Sequence, residues 1–254
     1  MQKKIGFTEL TVTLLIIGLL LCFTVACGKK AEQAKKHLDQ AVQYEEQKMP
    51  EEALKEYKQA IQLNPQYADA HFRLGALYHT LNAYSSAIDE YQKVLQIDPT
   101  YRGIHTAMAH VYYVRGMTAW VKAMKLDQMT YWYADTLRQL PYRDKAELLN
   151  LIKTYQNSLK TDTTDAITFS KLSQANYVLA VDEYQKAIVE NPSDTSAILY
   201  LALTYSEQGY PQKAMTQYEN LQKVDPRAAG VLQKMFEQKV KEKEYYESMN
   251  KKGK

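Results

Sequence analysis

The chain has 254 residues and a formal net charge of +3, with 24% charged residues, so its charge balance makes no case for nucleic acid or an acidic substrate. Both cysteines, Cys22 and Cys27, fall in an apolar N-terminal stretch, and the body after them therefore excludes a disulfide or a thiolate metal site. Glycine (9) and proline (7) are scarce while tyrosine (21) is common, which fits a helix-rich body packed through aromatic rings.

Gln2-Lys3-Lys4 gives a short basic start, followed from Leu10 to Ala26 by an apolar run whose polar members are threonines. As a helix the run spans roughly 25 Å, short of a hydrocarbon core of about 30 Å, which favours a signal-peptide core over a transmembrane helix. It ends Phe23-Thr24-Val25-Ala26-Cys27-Gly28, which resembles a bacterial lipoprotein signal, with Thr24 where leucine is usual. That resemblance implies cleavage before Cys27 and its lipidation. Two other readings stay open. The segment can remain uncut as a signal anchor. It also resembles a type IV prepilin leader, Lys3-Lys4-Ile5-Gly6-Phe7-Thr8, although Glu9 would then be third in the mature chain rather than fifth. All three place the body outside the cytoplasmic membrane, in the cell envelope. Gly28, in place of aspartate after the cysteine, implies the outer membrane in a Gram-negative source. Residues 1–26 are thus expected to be the signal or membrane segment and 27–33 a tether.

From residue 34 a rhythm appears. Leu74, Gly75 and Tyr78 share one helical face, and Ala87, Tyr91 and Val94 share another, with a turn at Thr80–Ala83 and Pro99 at the end. Small Gly75 and Ala87 let two backbones approach, and the tyrosines fill the space beside the crossing. Thirty-four residues upstream, Ala53, Tyr57, Ala60 and Pro65 hold the second-helix positions. Leu201, Ala202, Tyr205, Ala214, Tyr218, Leu221 and Pro226 repeat the whole pattern near the C-terminus. A repeat of this length and composition resembles the tetratricopeptide repeat (TPR) family. The resemblance implies an all-α, TPR-type solenoid of helical hairpins in two blocks, with an irregular helical joint and a C-terminal capping helix. The first block is expected at 34–116 (repeats 34–67 and 68–101, then a divergent 102–116). The joint is expected at 117–160, the second block at 161–228 (repeats 161–194 and 195–228), and the cap with its charged tail at 229–254.

In TPR proteins the first helices of the repeats line a groove. On that resemblance the partner-binding groove comprises Leu38, Val42, Asp69, Phe72, Ala76, His79, Thr106, His110 and Tyr113. The TPR subclass that clamps carboxylates uses basic and amide side chains there. Leu38 and Val42 replace its first two, and Gly103 and Ala107 its last two basic residues, so an apolar-anchored peptide is the expected ligand. His37, His71 and His105 are spaced by the repeat length. Neighbouring repeats stack about 10 Å apart, whereas zinc ligands lie about 2 Å from their metal, so these histidines are expected to pack rather than ligate.

After Gly116 the rhythm fails. Met117–Leu140 reads as a long helix stopped by Pro141, and Lys145–Leu159 as another. Tyr131, Trp132 and Tyr133 stand about 100° apart on a helix, so one inward face cannot bury all three. With Trp120 they form either an aromatic partner site or a wedge between the blocks. Ala180, Tyr184, Ala187 and Pro192 restore the second half of the motif, but Lys171 occupies the place of a tyrosine. Leu232, Met235 and Phe236 give the last helix an apolar side, as a solenoid cap requires.

No phosphate loop, HExxH or serine elbow is present, and the acidic pairs lie on solvent faces. No enzyme activity, cofactor or metal is expected. The expected function is an exported, membrane-tethered scaffold that binds a protein segment in its groove, as an envelope-assembly lipoprotein. The alternatives are a pilin-like subunit or an uncleaved, signal-anchored form.

Overall fold

The structure, a computed structural model, describes residues 28–126 and 144–252, with side chains through residue 241. Its described residues contain helices and no strand. They form two compact units that divide between Tyr101 and Arg102.

The first unit holds α1 (residues 28–46), α2 (Pro50–Leu63), α3 (Ala68–Thr80) and α4 (Tyr84–Ile97). The expected tether over 27–33 is not seen as a spacer, because the helix already runs at residue 28. Lysine, alanine, glutamate and glutamine are good helix formers, and Glu32 pairs with Lys36 one turn on at 3.2 Å. Leu38, Ala41, Ala53, Tyr57, Ala60, Ala70, Leu74 and Leu77 make the first core cluster. Within α3 and α4, a side chain on Gly75 would begin 2.6 Å from the Tyr91 ring. The small residue thus sets how closely the two helices approach.

Each hairpin turns on a residue at positive φ in the same register. Lys48 (59°), Asn82 (60°) and Gly209 (74°) fill it. Gly116 is the register equivalent in the third repeat, and there the chain does not turn. Instead α5 runs unbroken from Ile104 to Leu126, 23 residues against 13 for α3.

The partner of α5 is far along the chain. After α6 (Lys145–Thr161), α7 runs from Ala166 to Glu190, 25 residues without glycine or proline to break it. It packs along α5. Tyr184 and Ala187 of α7 stand to Met108 and Tyr112 of α5 as Tyr91 and Val94 stand to Leu74 and Tyr78. The repeat expected over 161–194 is therefore not a hairpin of its own. Its motif half is the second helix of the repeat begun at 102, and residues 127–165 are inserted between the two helices. The boundary expected at 116/117 falls inside α5 for the same reason. The arms extend beyond the ordinary repeat by 10 and 11 residues, roughly three turns each. Gly116 packs one heptad outward from Ala109, against Tyr177, one heptad back from Tyr184.

The fourth repeat is α8 (Thr195–Glu207) and α9 (Pro211–Val224), with Asp194 capping Ala197 N–H and Pro211 in the first turn of α9. Then α10 (Pro226–Lys252) packs on both of them. It buries Leu232 and Ala229, but Met235, expected on the same inward side, is 43% exposed. Phe236 occupies the register held by Ala41, Gly75, Ala109 and Ala202, the small residues at the crossings. With Met215, Tyr218 and Val240 it lines an apolar groove of about 570 Å³.

Candidate functional site

In each unit the first helices of the repeats carry the candidate site residues, and those of the second unit are the best defined. There α5 and α8 lie side by side, and α8 touches α10 in turn. Three of the groove residues expected from sequence come together on α5, and each meets α8 or its cap. The Thr106 hydroxyl donates to Asp194 Oδ2 at 2.7 Å. The His110 ring meets Tyr200 edge-on, centroids 4.4 Å apart, and Tyr113 does so at 5.4 Å. Tyr200 in turn stacks on buried Tyr184 at 6.3 Å and 11°. Thr106, His110 and Tyr200 are half-buried, while Tyr113 is 9% exposed. Burial first, then the Glu207 charge and Tyr200, push the Tyr113 phenol well up, so it stays a neutral hydrogen-bonding group. Glu207 is held by Lys239 of α10 at 2.9 Å.

In the first unit the expected residues divide. Leu38 is buried at 8%, and Val42 packs against the same core cluster. Their face of α1 contributes to the core shared with α3, buried at Leu38 and half-buried at Val42. Phe72 is half-buried between Tyr91 (5.5 Å) and Tyr101 (5.1 Å). Exposed Asp69 accepts from the Tyr101 hydroxyl at 2.7 Å. Ala76 and His79 are half-buried, and burial lowers the His79 pKa. Trp120 is half-buried on α5. Its suggested companions Tyr131, Trp132 and Tyr133, like Cys27, lie outside the described residues.

The three repeat-spaced histidines each meet a glutamate on the second helix of their own repeat. His37 Nδ1 lies 2.5 Å from Glu56 Oε2, His71 Nδ1 2.6 Å from Glu90 Oε2, and His105 Nδ1 2.6 Å from Glu183 Oε2. The third pair bridges the insertion and fixes the register of α5 against α7. In the fourth repeat the same positions hold Ile198 and Gln217. Sequence reading saw the histidines and missed their partners, although Glu56 and Glu90 recur at the repeat spacing.

Comparison with known families gives matches within residues 50–101. Residues 50–82 match the family model described as TPR repeat, and residues 68–101 match the model described as tetratricopeptide repeat. Residues 50–101 are TPR repeats. Among solved structures, a thermophilic TPR protein of Thermus thermophilus, TTC0263, is 18% identical, covering 78% of this chain and 98% of its own, with a TM-score of 0.36. YrrB, described as a TPR protein with an unusual peptide-binding site, is 17% identical, covering 84% and 97%, at 0.33. PilW, a type IV pilus biogenesis factor, is 14% identical, covering 75% and 77%, at 0.33. Superpositions this loose transfer neither ligand nor site. Comparison with curated proteins gives no match.

Among the described residues this surface carries aromatic rings, phenol hydroxyls and the Glu207–Lys239 pair, groups that suit contact with a polypeptide. Among the described residues no group of three or more His, Cys, Asp or Glu side chains is placed to hold a metal. No described helix is long and apolar enough to cross a membrane.

Proposed function

We propose that the chain is a TPR protein-interaction scaffold, tethered to a membrane through lipid on Cys27, that holds a partner segment on its first-helix surface. The observation that carries the reading is the half-buried aromatic seam of His110 and Tyr200 over Tyr113. Half-buried rings that are already packed on their neighbours bind at little further entropic cost, because their rotamers are already fixed. The tether is supported by the apolar run ending Val25-Ala26-Cys27-Gly28 and by α1 running from residue 28, which leaves no long spacer between anchor and repeats.

A photo-crosslinking residue placed at His110 in the full chain in its native envelope tests the surface, with Val189, 83% exposed on α7, as the control position. A protein captured at 110 and not at 189 is expected; equal capture at both sites overturns the surface. The intact mass of the membrane-extracted chain tests the anchor, with an acylated Cys27 start expected. A methylated Phe7 start would overturn it.

A further inference from the structure

Glu183 differs from its register equivalents in one respect. Glu56 takes its histidine and leaves 17% of its side chain exposed; Glu90 takes His71 and, three residues on, Lys93, leaving 12%. Glu183 repeats the second arrangement with His105 and Lys186, then adds Lys145, which reaches it from the first residue of α6. Its exposure falls to 1%. Around this carboxylate stand His105 from α5, Lys145 from α6, and Lys186 and Asp182 from α7 itself, with Glu190 on the far side of the His105 ring at 3.2 Å.

The rest of α6 buries few of its side chains. Of its 17 residues only Leu148 and Ile152 are buried, and both lie in its first half. Its second half, residues 153–161, has no buried side chain. A helix of this length has little stability alone in water, so one that loses its docking also loses its hydrogen-bonded structure. By contrast α7, which it lies on, is buried along most of its length.

We propose that α6 is a strap that leaves and rejoins α7 as one unit, with the Lys145–Glu183 ion pair as its latch. The latch sits where the insertion meets the repeat, on the carboxylate that already pairs α5 with α7. Opening the strap therefore returns Glu183 to the state of Glu90, with a histidine and a neighbouring lysine still on it. The repeat survives the opening, and the strap opens without global unfolding. The proposal does not rest on the protein-binding reading.

Native-state amide hydrogen exchange on the full chain tests it, through protection factors for 149–161 against 173–187. The strap amides are expected to be at least about a hundredfold less protected than those of α7. Lys145→Ala is expected to lower strap protection about tenfold further, the loss of one charge-assisted hydrogen bond, and to leave 173–187 unchanged. Lys145→Arg is expected to keep the wild-type pattern. Equal protection of the two segments in the wild-type chain overturns the strap, and strap protection unaffected by Lys145→Ala overturns the latch.

Discussion

The ring of Tyr177 occupies the space that a side chain on Gly116 would need. A Cβ there would lie 2.8 Å from two of its ring carbons and 3.2 Å from the Ser173 carbonyl oxygen. Gly116 is thus a turn glycine by register and a contact glycine by use. Its missing side chain lets the third hairpin keep zipping outward where the other hairpins turn back.

Gly116→Ala is therefore expected to destabilise the chain although it improves helix propensity. Overpacking against a ring that is 1% exposed costs about 1–3 kcal/mol, and replacing a mid-helix glycine regains about 1. The net loss is about 1 kcal/mol in urea denaturation. Gly230→Ala, in α10 with nothing within 4 Å of the added carbon, is expected to gain about 0.5–1 kcal/mol instead. The two substitutions should move the urea midpoint in opposite directions.

The buried histidine pairs give a second expectation. His71 is held on both ring nitrogens, by Glu90 and by the Pro65 carbonyl at 3.1 Å. His71→Ala leaves the Glu90 carboxylate partly buried without it and should cost about 3 kcal/mol. His71→Ile with Glu90→Gln, the pair found in the fourth repeat, should recover most of that loss in the same melt.

Acid should act through Glu183 and Glu90. Burial alone raises the Glu183 carboxyl, but hydrogen bonds from Lys145 and His105 and the charges of Lys145 and Lys186 hold it below the usual range. Burial raises Glu90 too, and His71 and Lys93 bring it below. A carboxyl lowered on folding contributes stability that is complete above its unfolded value of 4.5 and is lost as pH falls through the lower folded value. Thermal melts should fall steadily in temperature below about pH 4.5, and Glu183→Gln should flatten that slope.

Two tyrosines should respond oppositely to loss of their hydroxyls. Tyr57 donates to Glu45, and Tyr57→Phe should cost about 1.5 kcal/mol in denaturant unfolding. The Tyr184 hydroxyl is buried without a hydrogen-bond partner, so Tyr184→Phe should leave stability unchanged or raise it by up to about 1 kcal/mol.

The hairpin of Gly75 and Tyr91 was legible in the sequence because its two helices are joined by a short turn and carry their contact residues within 20 positions. The third repeat was not. Its arms meet as Arg115 and Asn176 do, 61 residues apart, and no local period links them. The cue was present in Lys171, a charged residue where a hairpin of its own would need a tyrosine. Among the candidate residues, spacing correctly put Thr106, His110 and Tyr113 on one face. It did not reveal that Tyr200 and Asp194 would sit against them, because helical periodicity names a face and not its neighbour. Nor did it reveal how far Leu38 and Val42 would pack into the core of the first unit.

Phe236 makes its helix a poor partner for one more crossing of the earlier kind. Every earlier crossing is built on glycine or alanine at that register, and a phenylalanine there keeps the backbone of any following helix at arm's length. A further repeat, whether appended by fusion or offered end-on by another copy, meets a bulky ring where it needs a dimple. Lengthening this solenoid would have to begin by carving that ring back to a methyl group.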